Sequence, residues 1–181
     1  MTCVVGYIDD CKQVAWLGAE SSATDDETTY DYSGKKIFYV GDFLVGFSGS
    51  FRAGQIVRHE VQLPPITSQL ELEKYLQTVF SKEIKKTLKK HFTPKKIDTF
   101  NLLIAYEDKL FTLENDFTIL PFAPYMAIGT GTPYALGALK ALMDYKISTR
   151  TRITKAIEAA IHHCPSCRGA IYVEKWKQSK K

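Results

Sequence analysis

The sequence predicts an α+β fold in which two antiparallel sheets are flanked by helices on their outer faces. Two observations lead to this prediction. Short runs rich in β-branched and aromatic residues occur in pairs separated by polar turns, which is typical of antiparallel hairpins. The apolar spacing also changes twice to a helical period, which gives the order strands, two helices, strands, two helices and a last strand. Segregated runs of strands and helices are the pattern of α+β architectures.

The first half of the chain predicts four strands and two helices. Polar turns at residues 9–12 and at Gly41-Asp42 each separate two strands, and residues 21–27 are loop by composition. Pro64-Pro65 ends the first helix, and residues 68–71 (SQLE) form a capping box that starts the second. The predicted strands are residues 2–8, 13–18, 36–40 and 43–47, and the predicted helices are residues 51–61 and 68–90.

The second half of the chain predicts five strands and two more helices. A hairpin turns at Glu107-Asp108, residues 129–133 (GTGTP) interrupt the chain before the third helix, and a basic tail spans residues 175–181. The predicted strands are residues 100–106, 109–113, 117–120, 125–128 and 170–174, and the predicted helices are residues 134–145 and 153–163.

Length and composition predict a single globular domain over residues 1–181. A chain of 181 residues can bury most of its apolar surface, and its net charge of +4 argues against a dedicated nucleic-acid binder. We find no apolar run long enough for a membrane span and no pattern of a secretory signal. We therefore expect a cytoplasmic protein with reduced thiols.

The second predicted helix has a lysine-rich face with several cations near its C-terminus. A surface for nucleic acid or a protein partner is one interpretation, but a solvated helix face is far commoner. We therefore regard nucleic-acid binding as a remote alternative. The lysines are Lys82, Lys85, Lys86, Lys89 and Lys90, with Lys95 and Lys96 beyond Pro94.

Four cysteines are present, and only Cys164 and Cys167 form a close pair. A structural zinc site would need a second pair at similar spacing, which Cys3 and Cys11 do not supply. A mixed site with the neighbouring histidines, or redox use, is an open alternative. An ordinary turn with small buried thiols is the favoured interpretation, and we expect no metal and no cofactor.

Thr2 follows the initiator methionine in a context where that methionine is normally removed. Without Met1, Thr2 carries both a hydroxyl nucleophile and a free α-amine. The amine, with an ordinary pKa of about 8, can accept the hydroxyl proton near neutral pH. Threonine is also common at this position for no catalytic reason, so the context in the fold decides its meaning.

Five segments in chain order resemble proteasome-type subunits of the N-terminal-nucleophile hydrolase superfamily. The resemblance covers nearly the whole chain. The chain is similar both to the peptidase subunit of the bacterial ATP-dependent ring protease and to short proteasome-like proteins of bacteria and phages. It implies a four-layer αββα sandwich. The segments are residues 2–6 (TCVVG), 17–21 (LGAES), 36–37 (KI), 45–50 (VGFSGS) and 127–138 (AIGTGTPYALGA).

The resemblance also implies a catalytic role for three of these residues. Thr2 matches the nucleophile that forms an acyl-enzyme, and Lys36 matches the lysine that favours the deprotonated hydroxyl. Without the resemblance, Lys36 would be interpreted as a surface lysine at the start of a strand. Glu20 lies sixteen residues before Lys36, where the family has an aspartate that keeps this lysine charged and oriented. Glutamate has the same charge but is one methylene longer.

Further site residues are implied around this group. Gly49 matches the glycine whose backbone N–H forms the oxyanion hole, and Thr130 lies where the family has a supporting serine. Phe47, Phe51 and Arg52 would line the substrate pocket, and the aromatic residues suggest an apolar preference. The family pattern of aspartate and serine three residues apart is replaced by Cys164 and Cys167 in this chain.

Two functions from different classes remain open at this stage. The first is an N-terminal-threonine peptidase that hydrolyses peptides within a homo-oligomeric ring, with an ATP-dependent unfoldase as a possible partner. The second is an inactive structural or assembly protein that keeps the same fold and ring. A phage origin would give it viral structural proteins as partners and a place in the virion. The substitutions at Glu20, Thr130 and Cys164 favour the second, because a fold does not imply a function.

Overall fold

The computed structural model describes residues 2–9, 11–25, 28–66, 72–92 and 99–178. The strands are β1 (Val4–Asp9), β2 (Val14–Glu20), β3 (Ser22–Asp25), β4 (Thr28–Asp31), β5 (Ile37–Val40), β6 (Phe43–Gly49), β7 (Phe100–Tyr106), β8 (Lys109–Leu113), β9 (Ile119–Phe122), β10 (Tyr125–Ile128) and β11 (Ile171–Lys175). The helices are α1 (Phe51–Glu60), α2 (Leu72–Tyr75), α3 (Ser81–Leu88), α4 (Thr132–Leu142) and α5 (Thr149–His163), and a π-helical segment (Leu76–Phe80) joins α2 to α3.

The first sheet has the strand order β10-β1-β2-β11, and all its neighbours are antiparallel. β1 lies in the centre, where Val4 pairs with Ala19 on one side and with Ile128 on the other. Helices α4 and α5 cover the outer face of this sheet. Apolar side chains of both helices meet those of the sheet there; among them are Val5, Ala127, Leu139, Ile153 and Ile157.

The second sheet has the strand order β5-β6-β7-β8-β9 and is also antiparallel. Its outer face packs against α1, α2, α3 and the π-helical segment. The aromatic rings of Phe43 and Phe80 meet edge to face in this layer, with centroids 5.1 Å apart. Such contacts add to the stabilisation that burial itself provides.

The inner faces of the two sheets pack on each other and form a third group of buried residues. Aliphatic side chains alternate along the strands so that one set faces inwards. These inward residues include Val4, Leu17, Leu44, Leu103 and Leu110. The result is four layers, helices, sheet, sheet and helices, so the predicted α+β sandwich is confirmed.

Several elements differ from the prediction in detail. Residues 21–27 were predicted as loop, but they contain β3, which pairs with β4 in a separate two-stranded sheet. Helix α5 starts four residues earlier than predicted, because the Ser148 hydroxyl accepts a hydrogen bond from the Thr151 N–H and caps it. Strand β9 is displaced by two residues towards the C-terminus.

The second predicted helix is present from Leu72, and its π-helical segment interrupts the regular α-helical pattern. The capping box at residues 68–71 lies outside the described residues, as do Lys95 and Lys96. The lysines from Lys82 to Lys90 are exposed, which agrees with a solvated face. Within the described ranges, no helix is long and apolar enough to cross a membrane.

Candidate active site

Thr2 lies directly before β1, where the backbone of two glycines holds it. The carbonyl oxygen of Thr2 accepts a hydrogen bond from the Gly131 N–H at 3.2 Å. Gly129 has a φ of +95°, and a Cβ at this position would lie 2.1 Å from that same carbonyl oxygen. Only glycine allows this approach without moving the strand. The GTGT motif therefore fixes the position of Thr2 relative to β10.

Lys36 connects Thr2 to Glu20 in the interior of the protein. The Lys36 Nζ donates to Thr2 Oγ1 at 2.9 Å and to Glu20 Oε1 at 2.6 Å. Glu20 ends β2 in the first sheet, whereas Lys36 precedes β5 in the second sheet, so the packing of the two sheets brings them together. All three residues are buried. The structure thus groups three of the residues that the sequence singled out.

Glu20 is held by donors on two sides. Its Oε1 also accepts a hydrogen bond from the Cys3 N–H at 3.0 Å. Its Oε2 accepts from both the backbone N–H and the hydroxyl of Ser22, each at 2.5 Å. The carboxylate therefore reaches Lys36 directly despite the additional methylene, and Ser22 fixes its orientation.

The pKa of Lys36 is lowered, chiefly because burial penalises the charged ammonium. The negative charge of Glu20 and its hydrogen bond oppose this effect. The Lys36 ammonium donates to Thr2 Oγ1, and its positive charge favours the deprotonated form of that hydroxyl. The arrangement can therefore support proton transfer at Thr2 Oγ1.

An open cleft of about 740 Å³ contains Thr2 together with Gly49 and Thr130. Gly49 ends β6 with a φ of +90°, and a Cβ there would lie 2.1 Å from the carbonyl oxygen of Thr99. Glycine is thus required at this turn. Thr130 lies on the other side of Thr2, where its hydroxyl is 3.5 Å from the Thr2 carbonyl oxygen.

Ser166 lies behind the cleft and was not selected from the sequence. Its hydroxyl is 3.1 Å from the hydroxyl of Thr130, and its carbonyl oxygen accepts a hydrogen bond from Ser22 at 3.0 Å. Ser22 was also missed, although it lies two residues after Glu20, on the same side of an extended segment. That spacing could have identified Ser22. Ser166 offered no comparable signal, because 144 positions separate it from Ser22.

Three of the four cysteines, Cys3, Cys164 and Cys167, are buried close to this site, and all four are free thiols. Burial, and to a smaller extent neighbouring negative charges, raise the pKa of the Cys3 thiol and that of Cys167, the latter to about 12. Both are therefore protonated near neutral pH. Burial also acts to raise the pKa of Cys164, but hydrogen bonds from Ser166 outweigh it and the pKa is lowered.

The Cys164–Cys167 segment forms a turn after α5, closed by a hydrogen bond from the Cys167 N–H to the Cys164 carbonyl oxygen at 2.9 Å. This is the turn with buried thiols that the sequence suggested. No group of three or more histidine, cysteine, aspartate or glutamate side chains within the described ranges could hold a metal ion.

The predicted substrate-binding residues lie beside the cleft and not in its wall. Phe47 and Arg52 line a second cavity of about 230 Å³. Phe51 links the second cavity to the site, because its ring lies 5.8 Å from the Lys36 Nζ and packs edge to face on Phe47, with centroids 5.5 Å apart. The lining of the second cavity also contains several charged residues. The cavity is therefore less apolar than the aromatic residues alone suggested.

Comparison with known proteins gives one family and several relatives. Residues 2–173 match the family described as proteasome subunit. The chain is 26% identical over 178 residues to the ATP-dependent protease subunit HslV of Chlorobium luteolum, covering 96% of this chain and 93% of the relative. Among solved structures, Thiobacillus denitrificans BPH in complex with epoxomicin superposes with a TM-score of 0.78 at 20% identity, covering 98% of this chain and all of the other. HslV of Trypanosoma brucei superposes with a TM-score of 0.68 at 16% identity, covering 96% of this chain and 98% of the other.

Proposed function

Because the chain belongs to the proteasome subunit family, we propose that it is an N-terminal-threonine peptidase that hydrolyses peptide bonds through an acyl-enzyme. The observation that supports this most is the buried contact of Thr2 Oγ1 with Lys36 Nζ at 2.9 Å. A hydroxyl loses its proton more readily beside an ammonium, and such an activated nucleophile is what covalent catalysis needs.

The proposed reaction starts once Met1 is removed and the α-amine of Thr2 is free. Thr2 Oγ1 attacks the carbonyl carbon of the peptide, and the hydroxyl proton passes to the α-amine with Lys36 holding the oxygen in place. The tetrahedral intermediate then collapses, the leaving amine takes up the proton, and an ester to Thr2 forms. Water hydrolyses this ester by the reverse sequence of proton transfers and releases the second product.

Gly49 and Glu20 have supporting roles in this proposal. The backbone N–H of Gly49, in the same cleft as Thr2, donates a hydrogen bond to the oxyanion of the intermediate. One such donor contributes about 3 kcal/mol to transition-state stabilisation. Glu20 keeps Lys36 charged and oriented, because burial alone would favour the neutral amine. Thr130 and Ser166 fix the position of Thr2 from the other side.

The rival proposal of an inactive structural protein accounts less well for the interior of the molecule. Burying a lysine and a glutamate costs several kcal/mol per charge before their attraction is counted, and an apolar pair of similar size is often as stable. Lys36 and Glu20 are nevertheless both buried and in direct contact with Thr2 or with each other. A catalytic role gives a reason for a charged pair at this position.

We further propose that the chain assembles into a homo-oligomeric ring in the cytoplasm and receives unfolded substrates from an ATP-driven partner. Support comes from the relative in Chlorobium luteolum, which is the subunit of an ATP-dependent protease and covers 96% of this chain. A closed chamber would restrict access to unfolded peptides.

The experiment that tests the proposed function compares two threonine variants of the protein prepared with Thr2 as its first residue. Thr2→Ala should abolish hydrolysis of a fluorogenic peptide while the folding and the size of the assembly remain unchanged. Thr78→Ala is the matched control, because Thr78 is exposed on the π-helical segment outside the second sheet. Equal hydrolysis by both variants would refute the mechanism, and an intact ring without any hydrolysis by the unaltered protein would favour the structural role.

A further inference from the structure

The second cavity, near the proposed catalytic residues, is lined by both aromatic and charged side chains. It has a volume of about 230 Å³, and its inner wall includes the rings of Phe38 and Phe47. Its other lining residues come largely from one face of α1, where Arg52, Gln55 and Arg58 follow one another at intervals of three residues. The cavity thus combines an apolar wall with a row of cationic and amide side chains.

Two side chains, Phe51 and Lys36, connect the cavity to the nucleophile. Phe51 packs on Phe47 and on Tyr32, both of which line the cavity, with ring centroids 5.5 and 5.1 Å apart. The same Phe51 ring lies 5.8 Å from the Lys36 Nζ, which contacts Thr2 Oγ1 at 2.9 Å. The cavity therefore lies next to the group of Lys36 and Thr2, on the far side of the Phe51 ring.

Two of the charged residues in the lining already have partners. Lys35 forms an ion pair with Glu174, with the nitrogen and oxygen 2.7 Å apart. Glu60, a carboxylate that also lines the cavity, lies 2.6 Å from the ring nitrogen of His91. Because Lys35 and Glu60 both line the cavity, their opposite charges offset each other, and the two arginines give the lining its positive charge.

Arg52 and Arg58 have no carboxylate partner within the described ranges of the chain. The Arg58 guanidinium lies over the Phe38 ring at 5.4 Å, and it donates a hydrogen bond to the Lys35 carbonyl oxygen at 3.5 Å. These two contacts orient Arg58 at the cavity wall. Its remaining N–H groups can pair with a carboxylate, which guanidinium binds in a fixed fork geometry.

Arg52 is the second residue of α1, and its charge there is unfavourable. Ser50 caps the helix, and the first turn contains no acidic residue. The helix dipole disfavours a cation at the N-terminus and favours an anion. An anionic group bound next to Arg52 would be attracted both by the guanidinium and by the dipole of α1.

We propose that this cavity binds an acidic side chain of the substrate, so that the enzyme cleaves peptides after glutamate or aspartate. The methylene groups of the side chain pack against Phe47, and its carboxylate pairs with Arg52 and Arg58. This inference rests on the proposed peptidase function. It replaces the apolar preference expected from Phe47 and Phe51 alone, because those rings form one wall and the cations form the other.

The test uses three fluorogenic peptides that differ only in the residue before the scissile bond, which is glutamate, leucine or lysine. The protein, with Thr2 as its first residue, should cleave after glutamate with a kcat/KM about tenfold above that for leucine, the effect of one charge-assisted hydrogen bond. Arg52→Gln should reduce this ratio about tenfold for the same reason. Arg52→Glu should shift the preference towards lysine.

Arg150→Gln is the matched control for the loss of one positive charge. Arg150 is exposed on α5, where its guanidinium lies over the Trp16 ring at 5.8 Å, away from the cavity. The glutamate-to-leucine ratio should not change in this variant. Hydrolysis with an equal or higher kcat/KM for leucine, or a ratio that Arg52→Gln leaves unaltered, overturns the inference and leaves the peptidase function standing. Failure to cleave any of the three peptides overturns both.

Discussion

The ion pair between Glu20 and Lys36 gives the sharpest prediction about stability. Glu20→Gln would leave the Lys36 charge buried without a carboxylate. The amide nitrogen would also face either Lys36 or the two Ser22 donors, because both carboxylate oxygens accept hydrogen bonds in the structure. Removing one partner of a buried pair typically costs about 3–5 kcal/mol.

The cost can be measured as a shift in Tm and checked by denaturant unfolding. For a chain of this length each kcal/mol lowers Tm by about 2–4 °C, so Glu20→Gln should lower it by roughly 10 °C. Glu174→Gln is the matched control, because it breaks the exposed pair with Lys35, whose side chains are 30% and 47% accessible. Exposed pairs contribute at most about 1 kcal/mol. All variants are compared at one protomer concentration, since assembly also stabilises the fold.

A double variant separates the charge from the packing. Adding Lys36→Met to Glu20→Gln removes the buried charge, so most of the lost stability should return. If Glu20→Gln destabilises no more than Glu174→Gln, Lys36 is not held as a charged partner of Glu20. If the double variant is as unstable as the single one, the cost arises from the hydrogen bonds of Glu20 and not from the charge of Lys36.

Three further outcomes are expected. Peptide hydrolysis should decline as the pH rises, and the decline should begin below pH 10.5, the ordinary pKa of lysine, because burial lowers the pKa of Lys36. Activity that stays constant up to pH 10.5 would contradict this. Glu20→Asp should move this decline to lower pH, since a shorter carboxylate attracts the ammonium less; a pH–rate profile checks it, and a shift to higher pH would oppose the assigned role. Gly49→Ala should reduce kcat at least about tenfold, because its Cβ would lie 2.1 Å from the Thr99 carbonyl oxygen and would displace the oxyanion donor. Gly137→Ala is the comparison, because a Cβ there meets nothing within 4 Å. It should raise stability by about 0.5–1 kcal/mol in thermal unfolding.

The sequence predicted the layers of the fold well, because their signal is periodic. Apolar, β-rich runs separated by polar residues predicted the hairpin of β1 and β2 and that of β7 and β8, and both are present. The two-stranded sheet of β3 and β4 was missed, since its strands, SATD and TTYD, are polar and short. Backbone hydrogen bonds between the two strands form this sheet, and the amino-acid composition of the strands does not indicate them.

The site was predictable only where a motif or a fixed separation marked a residue. Thr2, Glu20 and Lys36 were selected by resemblance, and the structure brings them into contact, while their catalytic roles remain a proposal. Ser166 could not have been selected, because its contacts with Thr130 and Ser22 arise when distant segments pack together. The charged character of the second cavity was hidden for the same reason: the face that α1 presents depends on the packing of the helix against the second sheet.

The central claim, that Thr2 is an active nucleophile, is tested most directly by the intact mass of the purified protein before and after treatment with an epoxyketone peptide. This probe reacts with both the hydroxyl and the free amine of an N-terminal threonine. We expect a mass without Met1 that increases by one probe per subunit, and no increase for Thr2→Ala. A mass without Met1 that does not change with the probe, or an equal increase in Thr2→Ala, would contradict the account.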